Sequence, residues 1–175
     1  MNIKLVDLKA QYETIKQDID AVIRDVVSET AFIGGTHIKQ FEEAFARFCG
    51  AKHCIGVGNG TDALYIALRT LGIGTGDEVI TVANSFIATS EAITQTGAMV
   101  VFVDIDPVTY NIDTRRIEEK ITARTKAVIP VHLYGQPCAM EEILSIAVKH
   151  GLFVVEDAAP SIGAEVRGRR TGSFG

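Results

Sequence analysis

Residues able to do chemistry cluster at a few turns of this 175-residue chain. One is the small-residue run Gly56-Val57-Gly58-Asn59-Gly60-Thr61-Asp62-Ala63-Leu64, which leads into a helix predicted to begin near Thr61. Free backbone N–H groups and the positive end of a helix dipole make such a turn a phosphate site, with the Thr61 hydroxyl as an added donor. The same residues also suit a plain tight turn in which Asn59 or Thr61 caps the helix. A dinucleotide fingerprint is a weaker match. It calls for a third glycine where Ala63 stands and a carboxylate closing the second strand, which here ends Thr81-Val82-Ala83-Asn84.

Three further turns carry functional groups. Phe86, in Asn84-Ser85-Phe86-Ile87-Ala88-Thr89, sits where a strand hands over to a helix. It could stack on a flat aromatic ligand or be a core side chain. Glu156-Asp157 follows the apolar run Leu152-Phe153-Val154-Val155, and carboxylates there are costly to bury unless paired. An aspartate at that point could hold the proton of a pyridinium ring, as pyridoxal phosphate requires. A metal ligand or a helix cap would use the same residue type. Asp104 and Asp106 read as turn chemistry because Asp106 precedes Pro107. His132 follows a fourth strand and could reach the same edge, while His37, His53 and His150 are scattered, which argues against a metal cluster.

These groups must be positioned by regular elements. Short apolar strands are predicted at 54–57, 78–82, 99–103, 126–130 and 152–155, alternating with helices at 61–71, 87–96, 114–121 and 139–149. Continuously apolar strands, each followed by a helix, specify a mainly parallel α/β sheet covered on both faces. Ligands bind such sheets outside the carboxyl ends of the strands. Before this region, Ile15, Ile19, Val22 and Val26 form one helical stripe. A break at Gly34-Gly35 separates it from a second stripe of Ile38, Phe41, Phe45 and Phe48. Both stripes read as packing elements. The organisation expected is an N-terminal helical segment over 1–50 and an α/β domain over 51–175. A short hairpin with a turn near Gly168 ends the chain, leaving a sheet edge that proteins normally cover, so the chain is expected to be a fragment of a larger protein.

Composition narrows the function classes. The chain is 47% hydrophobic and 22% charged with a formal net charge of -5, as in ordinary globular domains. No basic cluster exceeds Arg167, Arg169 and Arg170, which makes nucleic acid a poor partner. No apolar run approaches a membrane span, and the N-terminus lacks a signal-peptide pattern. No membrane association and a cytoplasmic location are therefore expected. Cys49, Cys54 and Cys138 lack CxxC spacing and read as reduced thiols.

Taken in order, DLKAQY (7–12), FIGG (32–35), GVGNGTDAL (56–64), GDEVIT (76–81), NSFIAT (84–89), VFVDIDPVTYNID (101–113), PVHLYGQP (130–137) and EDAAPSIGA (156–164) resemble the DegT/DnrJ/EryC1/StrS sugar aminotransferases along essentially the whole chain. The resemblance implies the type I aminotransferase fold, with these residues forming part of its large domain, and pyridoxal 5'-phosphate as cofactor. It implies that Gly60 and Thr61 hold the phosphate, that Phe86 stacks on the pyridine ring and that Asp157 pairs with the ring nitrogen. It further implies transfer of an amino group, usually from glutamate, to a nucleotide-linked keto sugar in polysaccharide or secondary-metabolite biosynthesis. A homodimer is implied for the full-length form.

Two departures from the family pattern stand out. At Pro160 the family usually carries glutamine or histidine, and proline offers neither a side-chain donor nor a backbone N–H. The family's Schiff-base lysine would lie in a segment beyond Gly175, and none of the lysines present matches it, so this chain by itself is expected to be inactive. A sugar dehydratase of the same family, in which histidine replaces that lysine, and a non-catalytic fragment are the alternative expectations.

Overall fold

The computed structural model describes Lys4 and residues 6–175, which form two compact units divided between Ala44 and Phe45. The first unit contains α1 (Leu8–Ser28), whose N-terminus is capped by the Asp7 carboxylate accepting from the Ala10 N–H at 3.1 Å. The predicted stripe is present, yet no residue of α1 is buried, and Val22, Ile23 and Val27 are each more than half exposed. The unit boundary falls within α2 (Thr36–Cys49).

In the second unit the elements follow as α3 (Gly60–Thr70), β1 (Glu78–Val82), α4 (Ile87–Gln95), β2 (Met99–Val103), β3 (Thr125–Ile129), α5 (Met140–His150), β4 (Phe153–Val154) and the hairpin β5 (Glu165–Val166) and β6 (Arg169–Arg170). Strands β2-β1-β3-β4 form one parallel sheet in that order. Alternation along the central strands separates two apolar layers. Val79, Ala127 and Ile129 pack with Leu64, Leu68, Ala92 and Ile93 of α3 and α4. Ile80, Val82 and Val128 face the other way, onto Ile117, Met140 and Ile143. This is the doubly covered parallel sheet that the apolar strands specify. Helix α5 ends at Gly151 in the left-handed region (φ 65°), the usual helix stop.

Two predicted elements differ. Residues 54–57 form no strand; Ile55 is 79% exposed, so no layer covers the apolar run. The predicted helix at 114–121 is instead two short 3₁₀ turns, Thr114–Arg116 and Glu118–Lys120. Asp113 explains the first turn, since its carboxylate accepts from the Arg115 N–H and from the Arg115 guanidinium. Those bonds, with a contribution from Arg116, hold its carboxyl below the ordinary value. The chain is already extended again at Ile121 (ψ 128°). Among the described residues no helix is long and apolar enough to cross a membrane.

Candidate functional site

A cavity of about 610 Å³ opens at the carboxyl edge of the sheet, within the second unit. Its walls come from the turn before α3, the turn after β1, the turn after β3 and the segment after β4. Gly60 and Thr61, Phe86, and Asp157 and Pro160, from three stretches far apart in the chain, all line it.

At one end, Asn59 is extended (φ -167°) and its side-chain carbonyl accepts from the Asp62 N–H at 2.9 Å. Asn59 is therefore the cap, and the Thr61 hydroxyl has no hydrogen-bond partner among the described residues. The N–H groups that open α3 stand at the positive end of its dipole. A β-carbon at Gly58 would lie 2.6 Å from the Asp62 carboxylate and would force that side chain to move, whereas at Gly60 the space is open.

Asp157 is held by the sheet itself. Its N–H donates to Pro130 O at 2.9 Å, and its own carbonyl accepts from the His132 N–H at 3.1 Å. These bonds extend the β3–β4 pairing past the formal end of β4. Its carboxylate accepts from the Thr89 hydroxyl at 2.8 Å. Thr89 is 1% exposed and has a single hydroxyl proton, already given to Asp157. The 2.8 Å contact between Ser85 and Thr89 must then run from the Ser85 hydroxyl to Thr89. Ser85, Thr89 and Asp157 thus form a directed relay that fixes the carboxylate. If the complete protein is the aminotransferase that the sequence resemblance implies, removing the middle member, as in Thr89→Val, is expected to lower its kcat/KM by about 5–30-fold, roughly 1–2 kcal/mol for one hydrogen bond to a charged group. Steady-state kinetics would check it, and an unchanged value would remove the relay from the site.

Phe86 is 78% exposed, which rules out the core alternative and leaves its ring available at the cavity. Pro160 lies at the rim and is exposed. Its carbonyl would be 3.5 Å from a β-carbon at Gly135, so the two segments approach closely there.

His132 does not line the cavity. It is fully buried, its Nδ1 accepts the Cys138 backbone N–H at 3.0 Å, and its Nε2 lies 3.0 Å from Glu156. A backbone N–H can only donate, so Nδ1 is the acceptor and Nε2–H donates to Glu156. Glu156 also accepts from the N–H groups of Gly172, Phe174 and Gly175, at 2.9, 2.5 and 2.8 Å. Burial pushes its carboxyl up, but these donors together outweigh burial and hold it below its ordinary value.

Cys138 is buried beside this pair, and burial raises its thiol to about 12, with the charge of Glu156 adding to the effect. Cys138 is expected to resist alkylation at pH 8 in the native protein and to react on unfolding, which a thiol titration with and without denaturant would show. Among the described residues no group of three His, Cys, Asp or Glu side chains is placed to hold a metal ion.

Ser85, Thr89 and Tyr134 are site residues that turn and strand patterns did not single out. The only sequence signal was that each sits within a few residues of a strand's carboxyl end. No lysine lines the cavity among the described residues.

Comparison with known proteins agrees with this architecture. The chain matches the DegT/DnrJ/EryC1/StrS aminotransferase family over residues 13–175. It is 51% identical over 175 residues to the pleiotropic regulatory protein of Geobacillus stearothermophilus, covering 100% of this chain and 47% of that one. It is 48% identical over 169 residues to the UDP-2-acetamido-2-deoxy-3-oxo-D-glucuronate aminotransferase of Pseudomonas aeruginosa, covering 97% and 47%. The crystal structure of S. venezuelae DesV in complex with a ketimine intermediate aligns at a TM-score of 0.96 with 43% identity, covering 98% of this chain and 46% of that one. The chain therefore spans about half the length of the curated relatives it matches. With the parallel sheet, its helical layers and eight ordered sequence segments in agreement, the chain belongs to the DegT/DnrJ/EryC1/StrS aminotransferase family.

Proposed function

We propose that the chain is the cofactor-binding part of a pyridoxal 5'-phosphate-dependent aminotransferase that moves an amino group, from glutamate, to a nucleotide-linked keto sugar. The observation that carries this reading is the convergence of Gly60, Thr61, Phe86 and Asp157 on one cavity.

The residues present fit the cofactor. The opening turn of α3 offers N–H groups and the uncommitted Thr61 hydroxyl to a phosphate. An aromatic ring needs an aromatic or apolar wall, and Phe86, Val131 and Ala159 line the cavity. A pyridine nitrogen needs a fixed carboxylate, and Asp157 is fixed from two directions. The volume suits a ligand of this size.

Bound pyridoxal phosphate supplies an electron sink for the pair released when a proton leaves the amine-bearing carbon. Asp157 keeps the proton on the ring nitrogen, because an opposite charge at close range favours the charged ring. Thr89 and Ser85 hold that carboxylate in one rotamer, so no reorganisation is needed as charge develops. Gly60 and Thr61 would hold the phosphate at the head of α3 and so anchor that end of the cofactor.

The reading assigns the Schiff-base lysine to a part of the protein outside these residues, supported by relatives about twice as long as this chain. It takes residues 51–175 as the cofactor-binding domain. It also takes the complete protein as a cytoplasmic homodimer; the exposed Val22, Ile23 and Val27 of α1 are apolar surface of the kind that assembly covers.

The test is to express the complete gene product with pyridoxal phosphate and follow its visible absorbance. Adding glutamate should convert the aldehyde form to the amine form, and a nucleotide-linked keto sugar should reverse the change. Cofactor binding without any response to glutamate would sink the aminotransferase reading.

A further inference from the structure

Tyr134 has the most costly backbone placement near the cavity. It is a bulky residue in the left-handed region (φ 55°, ψ 21°), immediately followed by Gly135, also left-handed (φ 84°). Such a conformation persists in a non-glycine residue only when the surroundings impose it, and it concentrates at functional sites.

The surroundings here impose it from both sides. Asn111, 2% exposed, accepts the Leu133 N–H through its side-chain carbonyl at 3.1 Å and donates its amide to Gln136 O at 2.9 Å. The two bonds bracket Tyr134 in the chain. Next to them, His132 donates its backbone N–H to Asp157 O and accepts the Cys138 N–H with its ring. Two buried polar side chains, from two different segments, therefore clamp the turn at residues 132–138. The result is a side chain that lines the cofactor cavity yet is 85% exposed. An aromatic ring held at that exposure contributes little to core packing. Its placement makes sense if another molecule covers it.

We propose that Tyr134 is a substrate-contacting residue that receives the keto sugar of the amino acceptor, and that Asn111 is the positioning residue that presents it. The inference rests on the function proposed above and adds the group that binds the acceptor. A pyranose ring offers C–H groups on one face and hydroxyls at its rim. A tyrosine matches both with an apolar ring face and a phenol that donates and accepts. The amino donor is a small dicarboxylic acid with no comparable apolar face, so the contact discriminates between the two half-reactions.

The test uses the complete holoenzyme and measures the two half-reactions separately. Tyr134→Gly is the informative variant, because glycine adopts the left-handed conformation without strain. It should keep or raise the melting temperature, leave the cofactor spectrum and the glutamate half-reaction within about twofold of wild type, and raise KM for the keto sugar by about 10–50-fold, the scale of one buried aromatic contact. Tyr134→Phe should fall between the two. Asn111→Ala should raise the acceptor KM in the same sense, again sparing the glutamate half-reaction.

Equal losses in both half-reactions, or loss of the cofactor, would overturn the assignment in favour of a cofactor-holding role. A fall in melting temperature with unchanged KM would overturn it in favour of a structural one. Failure of the wild-type protein to respond to glutamate would instead count against the proposed function, which separates the two outcomes.

Discussion

Asp157→Ala is expected to lower kcat of the complete enzyme by at least 10²–10³-fold, the scale on which removing one preorganised electrostatic contact acts. On the proposed function the ring nitrogen would keep its proton only while a fixed negative charge faces it, and among the described residues no other group lining the cavity carries a charge. Asp157→Asn should be nearly as damaging, since the amide preserves shape and discards charge. The fold should survive both changes, because Asp157 is tied into the sheet through its backbone, with bonds to Pro130 and His132 that side-chain replacement leaves intact. The turn that opens α3, the proposed phosphate site, is equally untouched, so the variants should still retain cofactor by absorbance. Single-turnover kinetics with glutamate would measure the loss in chemistry directly. Activity within twofold of wild type would remove Asp157 from the pyridine nitrogen. Loss of cofactor with normal folding would make it an anchor.

The largest effect on stability is expected at its neighbour. Glu156→Ala should destabilise the protein by about 3–5 kcal/mol, the scale for breaking a buried charged hydrogen-bond network. Its carboxylate is 3% exposed and accepts from the His132 ring and from three backbone N–H groups of residues 172–175. Truncation leaves these donors with nothing to bond, and water reaches His132 poorly because that side chain is fully buried. Urea unfolding monitored by circular dichroism would measure the change. A difference below about 1 kcal/mol would mean that water or relaxation replaces the network.

The same carboxylate gives an acid-sensitive term. Its folded-state value lies below the ordinary 4.5, so folding favours the ionised form. That contribution is complete above the ordinary glutamate value and is lost as the pH falls through the lowered folded value. Wild-type stability should therefore drop on acidification below about pH 4.5, and Glu156→Gln should be less stable at neutral pH with a shallower acid limb. An identical acid limb in the two proteins would place the titration elsewhere, on Asp113 or Glu78, whose carboxyls are also held low by hydrogen bonds.

The strands β1, β2 and β3 and the helices α3, α4 and α5 are legible in the chain because each is a local pattern. Glu78-Val79-Ile80-Thr81-Val82 reads as a strand whatever its neighbours do, and it is buried throughout, while a stretch such as Met140–His150 shows its apolar face at helical spacing. Gly60, Thr61, Phe86 and Asp157 could be picked out for the same reason, since each directly follows a strand or opens a helix. Where pattern misled, as at residues 54–57, the apolar run was present but no layer covered it.

The pairings within the site are of another kind. Thr89 meets Asp157 across 68 residues and His132 meets Glu156 across 24, and both depend on the strand order β2-β1-β3-β4. The left-handed backbone of Tyr134 depends on an asparagine from the loop after β2. Local periodicity encodes which face of an element is apolar, so it reports that a layered α/β sheet must form and where its carboxyl edge lies. It carries no information on which turn lands beside which. That is settled only when the layers pack, because the energy that selects one arrangement comes from burial and hydrogen bonds between segments distant in the chain.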